Sequence, residues 1–170
     1  MSPRTPSPEV AMLLRYLQSQ RKHVLGILEG LDDDALRQPL LPSGWSCLGL
    51  VQHLAIDVER FWFQAVVAGD QGAIDALADT DNAWIVGPDA SAEAIFARYR
   101  EESARTDAII AATAPDAAPA WWPGDLFGDF RMDTVRQIIL HTLTETACHT
   151  GHLDAARELI DGRKWLVLTE

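Results

Sequence analysis

Helical periodicity constrains the fold of this chain more than any other feature of its sequence. In four long segments the apolar residues recur at intervals of three and four, which is the spacing of one buried face of a helix. Signals for β-strands are nearly absent, and no internal repeat is found. We predict long helices over residues 8–29, 46–69, 91–114 and 133–161. The sequence therefore predicts an all-α fold, a four-helix bundle.

The connections between these segments are long. A short helical stretch, DDDALRQ, follows the first segment, and residues 70–90 are expected to form a loop with at most a turn of helix. A second loop over 115–131 contains Pro and Trp, and the final WLVLTE is expected to be a short extended tail. Simple up-down-up-down topology is therefore not assured. The length of 170 residues fits one domain over 1–170.

Charge and composition exclude several classes of partner. The chain has 14 Lys and Arg against 25 Asp and Glu, a formal charge of −11, which argues against nucleic acid and anionic membrane surfaces. No apolar run is long enough to span a membrane, and the N-terminus does not resemble a secretory signal. Cys47 and Cys148 form no disulfide framework and are expected to be small buried thiols in a reducing compartment. We therefore expect a cytoplasmic protein.

The fourth segment carries a stripe of polar residues that indicates a metal site. His141, Glu145, His149 and His152 all project from one face of the helix within about 80°. Burying an unpaired carboxylate there would be costly. Neutral imidazoles and a carboxylate are ordinary ligands of a divalent ion, and Glu145 and His149 lie one turn apart.

The third ligand is expected from another helix, and His53 is the best candidate. It lies within the apolar stretch LGLVQHLAI of the second segment. Alternatives remain open on spacing alone, because a histidine on an apolar face can be a core residue bonded to a carbonyl, and Glu–His pairs occur on solvated helix faces. Cys148 with His152 is an alternative ligand pair. His23 is expected on the surface.

The aromatic residues support two interpretations. Trp45, Phe61, Trp62 and Phe63 are expected in the core. Trp121 and Trp122 lie in a loop, where they could plug the end of the bundle or line the mouth of a pocket. The loops over 70–90 and 115–131 are expected to shape that pocket.

Two stretches of the chain resemble the DinB/YfiT-like superfamily of small helical metal-binding proteins. These are EGLDDDALRQPLLPSGWSCLGLVQHLA and TLTETACHTGHLDAARELIDG, and they look like the branch related to mycothiol-dependent maleylpyruvate isomerase and mycothiol transferase. Position by position, His53, Glu145 and His149 fall on the three metal ligands of the superfamily. Many members have His at the middle position, whereas the maleylpyruvate isomerase branch has Glu.

The resemblance implies a bundle with long crossover connections, one divalent metal ion per chain and often a homodimer. Zn is the expected ion, with Ni or Fe as alternatives. It also implies a low-molecular-weight thiol as co-substrate, mycothiol or a related thiol such as bacillithiol, in a transferase or isomerase acting on a small electrophile. Many relatives of the superfamily have no assigned reaction.

Roles for the neighbouring residues follow from this hypothesis. Asp57 could orient a ligand, while His152 and His141 are candidate proton carriers. His152 could instead be a fourth ligand, which would close the site. Two alternative functions stay open: a hydrolase that uses metal-bound water, and a non-enzymatic bundle that the metal only stabilises.

Overall fold

The computed structural model describes residues 6–78, 82–124 and 126–165. Its helices are α1 (Pro8–Leu28), α2 (Asp33–Arg37), α3 (Cys47–His53), α4 (Gln71–Asp75), α5 (Ala92–Ala112) and α6 (Val135–Asp161). A π-helical segment (Leu54–Val67) continues α3 without a break. No strand occurs in these ranges. The all-α prediction is confirmed, with the long helices within a few residues of their predicted bounds.

Side-chain caps explain where the long helices begin and end. Ser7, Ser46, Ser91 and Thr134 each accept a hydrogen bond from a backbone N–H of the first turn. Such caps satisfy N–H groups that have no partner within the helix. Gly162 ends α6 in the left-handed region, at φ 77°, where glycine carries no steric penalty.

The core lies between the apolar faces of the four long helices and includes residues from each of them. Helix α6 adds a buried row of threonines, Thr142, Thr146 and Thr150. The hydroxyls of Thr146 and Thr150 donate to the carbonyl oxygens four residues earlier, at 2.8 and 2.6 Å. This buried row lies on a different face of α6 from the polar stripe of His141, Glu145, His149 and His152. The side chains of that stripe are therefore not part of the core.

The π-helical segment is a feature that the periodicity did not predict. Its apolar residues recur at intervals of three and four, which an α-helix satisfies equally well. At its end the N–H of Ala68 donates to the carbonyl oxygen of Phe63, five residues back, at 2.9 Å. Segments of this kind are frequent at functional sites. This one carries Asp57, Phe61 and Trp62 toward the histidines of α6.

A cluster of three charged side chains, Arg21, Glu59 and Asp107, joins three of the long elements. Arg21 of α1 donates two hydrogen bonds of 2.7 Å to the carboxylate of Glu59, which is fully buried in the π-helical segment. Its third nitrogen donates to Asp107 of α5 at 2.6 Å. Bidentate geometry of this kind fixes the relative position of the helices.

Two predictions about single residues were wrong. His23 is half-buried because its Nε2 lies 2.7 Å from Asp154 and its ring stacks on Trp165. Cys148 is exposed because the buried face of α6 is occupied by neighbouring residues, whereas Cys47 is buried as expected.

The predicted tail after Trp165 lies outside the described residues. None of the described helices is both long enough and apolar enough to cross a membrane.

Candidate functional site

His53, Glu145 and His149 lie together where the end of α3 faces the middle of α6. One potential ligand atom from each residue lies within 4.8 Å of the other two. The rings of His53 and His149 approach edge to face at 5.1 Å. No other group of three His, Cys, Asp or Glu side chains in the described ranges meets this distance. The structure thus brings together the three residues that the sequence analysis singled out.

His53 is oriented by two neighbours. Its Nδ1 lies 2.8 Å from the carboxylate of Asp57, one turn later on the π-helical segment. With the carboxylate as acceptor, Nδ1 carries the hydrogen and Nε2 keeps a free lone pair. The indole of Trp84 stacks on the imidazole with 4.2 Å between ring centroids and 19° between planes. The ring is therefore held in one orientation with one nitrogen ready to coordinate.

His149 is a neutral imidazole at physiological pH. Burial, and to a lesser extent the nearby His53, lower the pKa of His149 to about 4, against an opposing effect of Glu145. A neutral ring is the form that coordinates a metal. Its Nε2 lies 3.5 Å from the carboxylate of Glu145.

The donor set fits a divalent ion. It consists of two imidazoles with largely covered side chains and one carboxylate that is 40% exposed. Among the described residues, the one ion-pair contact found for Glu145 is with the neutral ring of His149, so its carboxylate charge has no cationic partner there. Three such ligands, with the carboxylate facing an open cavity, are typical of sites that keep a coordination position for a substrate.

His152 lies beside this group. Its Nδ1 is 3.3 Å from Nδ1 of His149, the nitrogen on the other side of the ring from the one near Glu145. Its side chain is exposed, and its ring also approaches Trp45 at 6.0 Å. In this arrangement His152 contacts a member of the group without joining it. Cys148, the residue directly before His149 on α6, is also outside the group.

A cavity of about 490 Å³ opens directly next to the group. It shares His53, Asp57 and Glu145 with the site and includes His141, whose ring meets Trp62 edge to face at 4.9 Å. The other lining residues come from the π-helical segment and from the two loops predicted to shape a pocket: Val58, Phe61, Trp62, Leu77, Asn82, Ala83, Leu126 and Phe127. Phe61 and Trp62 are therefore both largely buried, as expected, and part of this wall.

Trp84 is the residue of the site that the sequence analysis missed. It lies in the loop between α4 and α5, where no periodicity assigns a side chain to a partner. Gln52 anchors this loop by donating to the carbonyl oxygens of Ala83 and Ile85, at 2.7 and 3.1 Å. A Cβ at Gly49 would collide with the carbonyl oxygen of Trp84. A small residue at 49 was the available signal that another backbone approaches α3 closely there.

Trp122 packs behind the wall of the cavity. Its ring lies 5.9 Å from Trp62 and 6.0 Å from Phe127. The N–H of Trp121 donates to the carbonyl oxygen of Val66 at 3.1 Å, which ties this loop to the π-helical segment. Neither tryptophan is among the residues that line the cavity, so these contacts place Trp122 behind its wall and not at its mouth.

Comparison with known proteins gives one match. The family model described as mycothiol-S-transferase matches residues 12–162, nearly the whole described chain. No curated protein matches the sequence. No solved structure matches it either.

Proposed function

The chain belongs to the mycothiol-S-transferase family, and from this premise we propose that it joins the sulfur of mycothiol to a small electrophile at a metal ion held by His53, Glu145 and His149. The observation that carries the proposal is the meeting of these three side chains, with one donor atom from each within 4.8 Å of the others. Zn as the resident ion and a homodimeric assembly remain predictions that belong to this proposal.

A divalent ion bound by His53, Glu145 and His149 would supply positive charge that lowers the pKa of a thiol and favours the nucleophilic thiolate. The protein's part is to hold the donors in place. Asp57 accepts the Nδ1 hydrogen of His53 and so fixes the ring, while burial keeps His149 neutral. Glu145 contributes a negative charge, which leaves the sulfur more nucleophilic than three neutral ligands would.

Proton transfer is assigned to His141. It lies one turn before Glu145 on α6 and lines the cavity, so its ring can reach a molecule bound there. His152 is not among the residues that line the cavity. In this proposal His141 accepts the proton of the thiol, and His152 positions His149 through the contact of 3.3 Å between their Nδ1 atoms.

The test is a thiol-transfer assay with metal-loaded protein, mycothiol and dinitrochlorobenzene. We expect conjugation well above the uncatalysed rate, reduced by about 100-fold or more in His149→Ala because the donor set is broken. His23→Ala is the matched control, since His23 also pairs with an aspartate but lies outside the site. Conjugation that persists in His149→Ala would contradict the proposal. Product formation that needs no thiol would favour hydrolysis instead.

A further inference from the structure

We propose that the cavity beside the metal group selects an uncharged, flat, apolar electrophile, an aromatic or conjugated ring, and rejects electrophiles that carry a carboxylate. The reaction at such a ring rests on the function proposed above. The selection between neutral and anionic ligands does not, because it follows from the walls of the cavity.

Most of the lining residues are apolar, and several are aromatic. The π-helical segment supplies Val58, Phe61 and Trp62, and the loop before α6 supplies Leu126 and Phe127. The rings of Trp62 and Phe127 are nearly parallel, with 15° between planes and 5.5 Å between centroids. Phe61 meets both rings edge to face, at 4.8 and 6.1 Å. Aromatic walls of this kind favour a flat ring in offset or edge contact.

The charges of the cavity disfavour an anion. Its lining contains two carboxylates, Asp57 and Glu145, and no Lys or Arg among the described residues. Arg131 lies over the ring of Trp122, which is not part of the cavity lining, and pairs with Asp133. The ion proposed at His53, Glu145 and His149 would add two positive charges, which the carboxylates of Asp57 and Glu145 balance. With the thiol at the open position of the ion, a carboxylate in the cavity would lose water without gaining a cationic partner, which is strongly unfavourable.

The polar side chains that remain are few and lie on the side of the metal group. Asn82 can form a directed hydrogen bond to a substituent of the ring, while His141 stays the acceptor of the thiol proton. The volume of about 490 Å³ is that of a pocket for one small ligand, and its apolar walls suit a ring better than a polar thiol. We therefore assign the cavity to the electrophile, and the reactive carbon to the edge that faces His53 and Glu145.

Two matched pairs of probes test this assignment on metal-loaded protein with mycothiol present, so that the thiol and not the probe occupies the open position of the ion. The unreactive pair is meta-nitrobenzoate and its methyl ester, whose dissociation constants are measured by calorimetry. The reactive pair is para-chloro-meta-nitrobenzoate and its methyl ester. In the reaction the thiol loses its proton, the sulfur forms a bond to the ring carbon, and chloride leaves with the electrons of the C–Cl bond. Each rate is divided by the uncatalysed rate with the same thiol.

We expect both esters to be preferred over the corresponding acids by at least about tenfold. Leu126→Arg adds a cation at the mouth of the cavity and should reduce or reverse that preference. Leu159→Arg is the matched control: Leu126 and Leu159 are both 63% exposed, but Leu159 lies on α6 outside the cavity. Because both leucines are exposed, neither change should affect folding.

The outcomes separate this inference from the proposed function. Preferred binding of the ester, lost in Leu126→Arg but kept in Leu159→Arg, supports the inference even if no transfer is seen with either substrate. Equal or tighter binding of the acid to the unmodified protein overturns it, even if thiol transfer proceeds. The same charge effect from both arginine variants also overturns it, because the cavity would then not be the source of selection.

Discussion

His53 and Asp57 form a pair that recurs elsewhere in the molecule without a metal group. Asp57 accepts from Nδ1 of His53 at 2.8 Å, and Asp154 pairs with Nε2 of His23 at 2.7 Å. Only the first histidine belongs to the group with Glu145 and His149. The two pairs therefore distinguish an effect on a metal ligand from the general cost of breaking a His–Asp contact.

We predict that Asp57→Asn weakens metal retention by about 10- to 100-fold, because the carboxylate fixes the tautomer and the ring orientation of His53. Metal affinity is measured by competition with a chromogenic chelator. Asp154→Asn, the control, should leave affinity unchanged while affecting stability to a similar degree. Equal affinities in the two variants would show that Asp57 does not act through His53.

The two cysteines should differ sharply in reactivity. Burial raises the pKa of Cys47 to about 11, so at about pH 8 roughly one molecule in a thousand carries the thiolate at this position. Cys148 is exposed. Native protein should therefore react with one equivalent of a maleimide per chain, and Cys148→Ser with almost none. Rapid labelling of Cys47 in native Cys148→Ser would contradict the described packing of α3.

For single residues, the sequence predicted contacts between side chains of one helix better than contacts made by loop residues. Glu145 and His149 could be placed together because a spacing of four puts two side chains on one helix face. Asp57 could be paired with His53 for the same reason. Trp84 could not be assigned, since a loop has no periodicity, and neither the exposure of Cys148 nor the His23–Asp154 contact follows from a pattern within one segment.

Helix α3 and its π-helical continuation position the site through a close approach of backbone. The loop that carries Trp84 lies directly against Gly49, and Gln52 holds its carbonyl oxygens. This contact places the indole over His53. A side chain at position 49 would push the loop outward and separate the two rings.

We predict that Gly49→Ala destabilises the protein by about 1–3 kcal/mol, because the new methyl group cannot fit beside the carbonyl oxygen of Trp84. Gly151→Ala is the matched control within a helix, where nothing lies within 4 Å of the added Cβ. It should stabilise by about 0.5–1 kcal/mol through the unfolded chain. Urea denaturation measures both. Equal effects of the two substitutions would contradict the close approach at Gly49.

The helix bounds were predictable, but the π-helical hydrogen bonding was not. Caps such as Ser46 and Gly162 identify ends because each meets a specific backbone requirement. The sequence from Leu54 to Val67 is compatible with an α-helix and with a π-helix, since most of its residues are apolar and buried in the core. Only the packing of the surrounding helices decides between the two.

The whole bundle is held in register by polar contacts as well as by its apolar core. Arg21, Glu59 and Asp107 link α1, the π-helical segment and α5. Burial acts to lower the pKa of the Arg21 guanidinium, but Glu59 and Asp107 outweigh it and hold that pKa above its ordinary value. Arginine thus remains charged in a place from which water is largely excluded.

We predict that Glu59→Gln destabilises the fold by roughly 3 kcal/mol, because the buried charge of Arg21 loses its main partner. The double variant Arg21→Met with Glu59→Leu should recover most of that loss, since no fully buried charge is then left unpaired. Asp107 loses Arg21 as well, but its carboxylate is partly exposed and keeps the hydrogen bond from Gln18. Glu93→Gln, which breaks the exposed pair with Arg100, is the control and should change little. A double variant as unstable as Glu59→Gln would contradict this explanation.

The architecture followed from the sequence more readily than the cavity did. Four amphipathic segments of adequate length have few ways to bury their apolar faces, and a bundle is the simplest. The cavity depends on residues from the π-helical segment, two loops and α6. Those loops could be expected to shape a pocket, but their side chains could be placed only once the packing was known.

The central claim is that His53, Glu145 and His149 hold one divalent ion, and elemental analysis of untagged protein tests it most directly. The same measurement is made on His53→Ala, His149→Ala and the control His23→Ala, with circular dichroism to check that each variant folds. These variants show whether metal binding depends on the proposed ligands. We expect about one ion per chain in the unmodified protein and in His23→Ala, and almost none in the other two. Folded, unmodified protein without metal after exposure to zinc, or undiminished metal in His53→Ala and His149→Ala, would contradict the claim.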